Sequence, residues 1–125
     1  MILDTNAVSA LLGGDQTIAE LLAFEPHHHL PTVVIGEYRY GLTRSNQQER
    51  LGTMLALLIA RSSVLSIDLD TTFHCARVRQ ELRQKGRPIP ENDLWIAALA
   101  SQYDLRIVSR DLHFDEVTGI DRVVW

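Results

Sequence analysis

Four acidic residues in this sequence lie at positions where a carboxylate could take part in catalysis or bind a metal ion. Asp4 closes the short apolar run that begins the chain, and Asp111 follows a second apolar run that ends at Val108. Asp93 lies in the first turn of a predicted helix, where the helix dipole favours the charged form of an acid. Glu37 interrupts an otherwise apolar helical segment, which is an unusual position for a solvated side chain.

If these carboxylates converge, they cannot all stay ionised without a nearby cation, because like charges at short range repel. Oxygen donors without a cysteine or histidine set favour Mg²⁺ or Mn²⁺ over zinc. Taken singly, each acid has a structural explanation as a strand end, a first-turn residue or a turn residue. The joint pattern predicts a divalent metal site formed by Asp4, Glu37, Asp93 and Asp111. Hydrogen bonds from three neighbours are expected to orient these carboxylates: Thr5, Asn6 and Ser109.

The elements that must position these acids alternate between strand and helix. Apolar patterning predicts strands at 1–3, 64–67, 106–108 and 121–125. Apolar residues at helical spacing predict helices at 7–12 and at 33–42, the second capped by Thr32. Capping patterns at Thr17–Glu20 and Ser45–Gln48 each predict the start of a further helix, the second running through Ile59. Two more helices are predicted from Asp70 to Gly86 and from Asn92 to Tyr103. Short strands separated by helices indicate an α/β fold with a parallel sheet covered on both faces. Ligands of such folds bind beyond the carboxyl ends of the strands, where Asp4 and Asp111 are expected.

Length and composition limit the possible classes of protein. The chain has 125 residues, 46% hydrophobic and 22% charged, which predicts one globular domain over 1–125. No apolar run approaches the roughly 20 residues needed to span a bilayer, and no secretion signal opens the chain. Cys75 is the single cysteine, which suits a reducing compartment. We therefore expect a cytoplasmic protein without a membrane partner.

The distribution of charge is compatible with a polyanionic partner in spite of the net charge of −4. Without the four site acids, twelve acidic residues remain against twelve Lys and Arg. Arg79, Arg83 and Arg87 recur every four residues and could contact phosphates along one helical face. A solvated face with Glu81 paired to Lys85 is the favoured alternative. Arg39, beside Glu37, is the better candidate for such a contact.

Four blocks of the sequence, in order, resemble the PIN-domain nucleases, and in particular the VapC-type toxins. The blocks are residues 2–6 (ILDTN), 35–42 (IGEYRYGL), 86–98 (GRPIPENDLWIAA) and 108–114 (VSRDLHF). Each block carries one of the four acids, and the resemblance extends over nearly the whole chain. Asp115 is a spare acid that could support or replace Asp111.

The resemblance implies a three-layer α/β/α sandwich and a metal-dependent endoribonuclease that is the toxin of a type II toxin–antitoxin pair. It also implies an RNA substrate, an antitoxin that blocks the site, and a homodimer. Arg39, Arg79, Arg83 and Arg87 would then contact RNA or the antitoxin.

Other interpretations remain open at this point. Asp68 and Asp70 have the spacing of the aspartate-nucleophile phosphatases, although few residues follow them and Lys85 is the only lysine. A non-catalytic PIN-like binding domain is a third possibility. The histidines at 27–29 are interpreted as surface residues, and Trp95 and Tyr103 as part of the core.

Overall fold

A computed structural model describes all 125 residues, and its centre is a sheet of five short parallel strands. The strands are β1 (Ile2–Leu3), β2 (His29–Pro31), β3 (Ser63–Leu65), β4 (Ile107–Val108) and β5 (Arg122–Val123). Their order in the sheet is β3-β2-β1-β4-β5, and every neighbouring pair is parallel. The central strand β1 is completely buried, as expected for a parallel sheet covered on both faces. The predicted α/β fold with a central parallel sheet is confirmed.

Six helices surround this sheet. They are α1 (Thr5–Leu12), α2 (Gln16–Ala23), α3 (Thr32–Leu42), α4 (Gln48–Ala60), α5 (Leu69–Lys85) and α6 (Glu91–Tyr103). A short 3₁₀ helix (Leu112–Glu116) precedes the last strand. The buried apolar side chains of the strands and helices form a single cluster. None of the helices has the length and apolar character that a membrane span requires.

The carboxyl ends of the parallel strands meet at one edge of the sheet, and this edge positions the acids. The Asp4 N–H extends the pairing of β1 with β4 by donating to the Val108 carbonyl at 3.1 Å. Ser109, directly after β4, does the same for β5 by donating to the Val123 carbonyl at 3.0 Å. The residues that follow β1 and β4 are therefore held by sheet hydrogen bonds.

Several predicted helix starts were wrong by one or two residues. The helix N-caps are Asp15 for α2, Pro31 for α3, Gln47 for α4, Asp68 for α5 and Pro90 for α6. The sequence pattern instead favoured Thr17, Thr32, Ser45, Asp70 and Asn92. At α2 and α5 two polar residues with capping ability lie two positions apart, and local patterning does not tell which one takes the cap. At α3, α4 and α6 no side chain caps the helix, so a nearby polar residue does not mark its first residue.

Strand β2 was missed, and two side-chain placements were wrong. The histidine run and Pro31 hid the strand, whose partners are β1 and β3 from distant parts of the chain. His29 is consequently half-buried in the sheet instead of lying on the surface, whereas His27 is exposed. Tyr103 ends α6 with 43% of its surface exposed, so it is not a core residue. Trp95 packs against the core as predicted.

Candidate metal centre

Asp4 is the most buried of the four acids. It is 4% exposed and caps α1, accepting the Thr5 N–H on Oδ1 at 2.7 Å. Its Oδ2 accepts the Ser109 hydroxyl at 2.7 Å and the Asn6 amide at 3.2 Å. Burial raises the pKa of Asp4, and the charges of Glu37 and Asp111 raise it further, while the bonds from Ser109 and Thr5 act in the opposite direction.

Glu37, on α3, lies near Asp4. One carboxylate oxygen accepts a hydrogen bond from the Thr5 hydroxyl, and the other accepts one from the Asn92 amide of α6. Glu37 therefore links the first turns of α1 and α6. Its intermediate burial in an apolar helix is explained by these two partners.

Asp93 and Asp111 face each other across the imidazole of His113. Nδ1 of His113 lies 3.0 Å from Oδ2 of Asp93 and 2.9 Å from Oδ1 of Asp111. Burial raises the pKa of Asp93 to about 6, with added repulsion from Asp4 and Asp111 and an opposing effect of His113. The hydrogen bond to Asp93 raises the pKa of His113 in turn.

The donor atoms fit a divalent cation. One ligand atom each of Asp93, Asp111 and His113 lie within 4.8 Å of one another. The charge of Asp4 raises the pKa of Asp93, and the charges of Glu37 and Asp111 raise that of Asp4. Carboxylate oxygens at this density suit Mg²⁺ or Mn²⁺.

The predicted orienting residues have the expected kind of contacts, with one exception. Thr5, Asn6 and Ser109 all hydrogen-bond to a site carboxylate. Asp115 instead forms a two-bond ion pair with Arg122, at 2.7 and 2.8 Å, which lowers the pKa of Asp115. Asp111, and not Asp115, lies in the group with Asp93 and His113.

Asn92 and His113 are the two site residues that the sequence analysis did not single out. The sequence pattern assigned Asn92 to helix capping, and Pro90 takes that position. His113 lies in the fourth block of the family resemblance, but no periodicity relates it to Asp93, which is 20 residues away. Only the meeting of α6 with the 3₁₀ helix brings the two together.

The four arginines lie outside this group, and their environments differ. Arg79 is paired with Glu91 at 2.6 Å, and Arg87 lies 3.9 Å from Glu116. Arg83 and Arg39 are exposed and have no ion pair. The favoured alternative for α5 is confirmed for one pair, because Lys85 lies 2.7 Å from Glu81.

A cavity of about 310 Å³ opens beside Glu37. It lies among α1, α3 and α4 and is lined by Thr5, Glu37, Tyr38 and Leu51, among others. A molecule bound there would lie directly next to the acidic group.

Comparisons with known proteins agree with this architecture. Residues 1–120 match the PIN domain family model. The chain is 32% identical over 123 residues to Ribonuclease VapC5 of Mycobacterium tuberculosis, covering 94% of this chain and 87% of the relative. It is 30% identical over 97 residues to the tRNA(fMet)-specific endonuclease VapC of Shigella flexneri, covering 77% and 74% of the two chains.

The fold also matches a solved structure, that of DNA-bound VapBC from Salmonella typhimurium. The TM-score is 0.89 at 28% identity, over 99% of this chain and 96% of the other. The family match, the relatives and the shared architecture lead to one conclusion. This chain belongs to the PIN domain family and, within it, to the VapC-type ribonucleases.

Proposed function

We propose that this protein is an endoribonuclease that requires Mg²⁺ or Mn²⁺ and is the toxin of a type II toxin–antitoxin pair. One observation carries the proposal: four carboxylates from separate parts of the chain, Asp4, Glu37, Asp93 and Asp111, meet at the carboxyl edge of the sheet. The relatives named as ribonucleases support the substrate class. The relative specific for tRNA(fMet) makes transfer RNA a reasonable first substrate to examine.

Asp93 and Asp111 are the best candidates for direct metal ligands, with Asp4 and Glu37 beside them. The metal, when bound, supplies positive charge to the scissile phosphate and acidifies a water molecule. Ser109 and Asn6 fix the orientation of Asp4, and Thr5 and Asn92 fix that of Glu37. The reaction is hydrolysis by in-line attack of water, which leaves a 5′-phosphate and a 3′-hydroxyl.

The partners we propose are a cognate antitoxin, a second copy of the chain and the RNA. The Salmonella typhimurium structure supports the antitoxin, because its protein is a VapBC complex. Arg39 and Arg83 are exposed and free of ion pairs, so they remain the arginines best suited to contact RNA phosphate or the antitoxin.

The structure does not favour the phosphatase alternative, because Asp68, its proposed nucleophile, serves as a helix cap. Asp68 caps α5, accepting the Thr71 N–H at 3.0 Å, while the Thr71 hydroxyl accepts the Asp68 N–H at 3.0 Å. Asp70 lies in the first turn of the same helix. Asp68 therefore has a structural role as the helix cap, and the four acids of the candidate site are all present.

Cleavage of a labelled transfer RNA by the purified protein tests the proposal. We expect cleavage with Mg²⁺ or Mn²⁺, none in EDTA, and none by Asp4→Asn. Asp68→Asn should cleave normally, because asparagine also caps helices well. Undiminished cleavage in EDTA, or a phosphatase activity that Asp68→Asn removes, would contradict the proposal.

A further inference from the structure

The imidazole of His113 is placed as an additional donor to the metal centre. Its Nδ1 is within 3.0 Å of one oxygen of Asp93 and one oxygen of Asp111. None of the predicted site residues supplies a nitrogen donor. His113 therefore changes the chemical character of the group.

The distance from Nδ1 to each carboxylate oxygen matches the distance between neighbouring ligands of one ion. Octahedral metal–ligand bonds of about 2.1 Å place adjacent ligand atoms about 3 Å apart. The distances from Nδ1 to the two carboxylate oxygens are 3.0 and 2.9 Å. Nδ1 is therefore spaced from each of the two carboxylate oxygens as one ligand of an ion is spaced from its neighbour.

The backbone holds His113 in this position. Its N–H donates to Oδ1 of Asp111 at 2.9 Å, so the acid caps the 3₁₀ helix that carries the histidine. The side chain is 46% exposed, so the ring has room to adjust to an ion. Asp111 and His113 form one local unit, and Asp93 of α6 completes it.

We propose that Nδ1 of His113 is a ligand of the metal together with Asp93 and Asp111, and that it makes the site prefer Mn²⁺ to Mg²⁺. Mg²⁺ favours oxygen ligands, whereas transition-metal ions gain from an imidazole nitrogen. This inference rests on the proposed metal-dependent function and adds a nitrogen ligand to it.

Pulsed electron paramagnetic resonance of Mn²⁺ bound to the untagged, full-length protein without RNA tests the inference. A directly coordinated ¹⁴N coupling is expected in the wild type and in the control His27→Asn, which changes an exposed loop histidine. The coupling should be lost in His113→Asn, and Asp93→Asn should lose the bound Mn²⁺. Calorimetry should show Mn²⁺ affinity falling by about tenfold in His113→Asn, with Mg²⁺ affinity changed by no more than about twofold.

Any other outcome would contradict the inference. The different outcomes also show whether the proposed metal-dependent function fails together with it. Mn²⁺ bound through Asp93 without a ¹⁴N coupling in the wild type removes His113 as a ligand and leaves the nuclease proposal intact. A coupling that persists in His113→Asn assigns the nitrogen to another histidine. Absence of any Mn²⁺ or Mg²⁺ binding would remove both the ligand and the metal-dependent function. The wild-type spectrum decides the matter even if a variant folds poorly.

Discussion

Ser109 donates a hydrogen bond of 2.7 Å to Asp4, and this bond joins the ends of β4 and β1 across 105 residues of chain. The same hydroxyl oxygen accepts the Asp111 N–H at 2.9 Å. Ser109 is completely buried and Asp4 nearly so. One serine therefore fixes the relative positions of two of the four acids.

Removing this hydroxyl should destabilise the fold. In Ser109→Ala, the buried Asp4 carboxylate loses a hydrogen bond, which should lower the free energy of unfolding by about 2 kcal/mol at pH 7. Urea denaturation in EDTA measures the change. Ser9→Ala, at an exposed position of α1, should stay within about 0.5 kcal/mol of the wild type. Equal stabilities for the two variants would show that the Ser109–Asp4 bond contributes nothing.

The Asn92–Glu37 contact should matter for activity more than for stability. Asn92→Ala leaves Glu37 with only the Thr5 hydroxyl as a partner, so the carboxylate is less well oriented. We expect a fall in RNA cleavage rate of about tenfold or more, with weaker Mn²⁺ binding. Steady-state cleavage and calorimetry measure the two effects. Asn46→Ala, at an exposed position before α4, is the matched control, and a wild-type rate for Asn92→Ala would refute the role of Asn92.

The cap of α5 can be tested independently of the site. Asp68→Ala removes the capping box and should lower the free energy of unfolding by about 1 kcal/mol, or a few degrees in melting temperature. Asp68→Asn should cost much less, since asparagine caps equally well. Asp70→Ala should have little effect in thermal melts. A larger loss for Asp70→Ala than for Asp68→Ala would restore Asp70 as the cap.

The raised pKa of Asp93 predicts a pH dependence of stability in the metal-free protein. A carboxyl group whose pKa is about 6 in the folded chain and about 4 when unfolded binds its proton more tightly in the folded state. Stability from this group is therefore lost as pH rises from about 4 to about 6, and it does not change further above that range. His113 has a raised pKa as well, so its contribution is complete below about 6.5 and is lost only above that pH.

The difference between wild type and Asp93→Asn isolates this effect from the other carboxylates. In EDTA, the advantage of the variant should grow by about 2 kcal/mol between pH 4 and pH 6, because asparagine does not ionise. Urea denaturation at several pH values gives the difference. A difference that is independent of pH would mean that Asp93 has an ordinary pKa.

The parallel sheet could be predicted from the sequence because apolar runs are local signals, and the same signals selected Asp4 and Asp111 as candidates. Apolar runs marked β1 and β4, and the residue that follows such a run lies at the carboxyl edge of the sheet, as Asp4 does. Strand β2 has no apolar run of this kind. Its residues are in a strand because they pair with β1, 27 residues earlier in the chain, and with β3, 34 residues later. Its existence follows from the sheet and not from its own composition.

The contacts within the site could be predicted only in part. Thr5, Asn6 and Ser109 lie within two residues of a site acid in the sequence, and this proximity was sufficient to select them. Asn92 is adjacent to Asp93 but serves Glu37, which is 55 residues away. Such a pairing depends on how α3 packs against α6, which cannot be predicted from the spacing of residues along the chain.

The central claim is that the converging carboxylates carry out metal-dependent RNA cleavage, and the cleavage rate of Asp93→Asn tests it most directly. The measurement compares this variant with Asp115→Asn, which changes an acid that is ion-paired outside the group, at saturating Mg²⁺ and at saturating Mn²⁺. We expect Asp93→Asn to cleave at least about 100-fold more slowly than the wild type. Asp115→Asn should stay within about twofold, because it loses only a surface ion pair. Wild-type cleavage by Asp93→Asn with both metals would contradict the account.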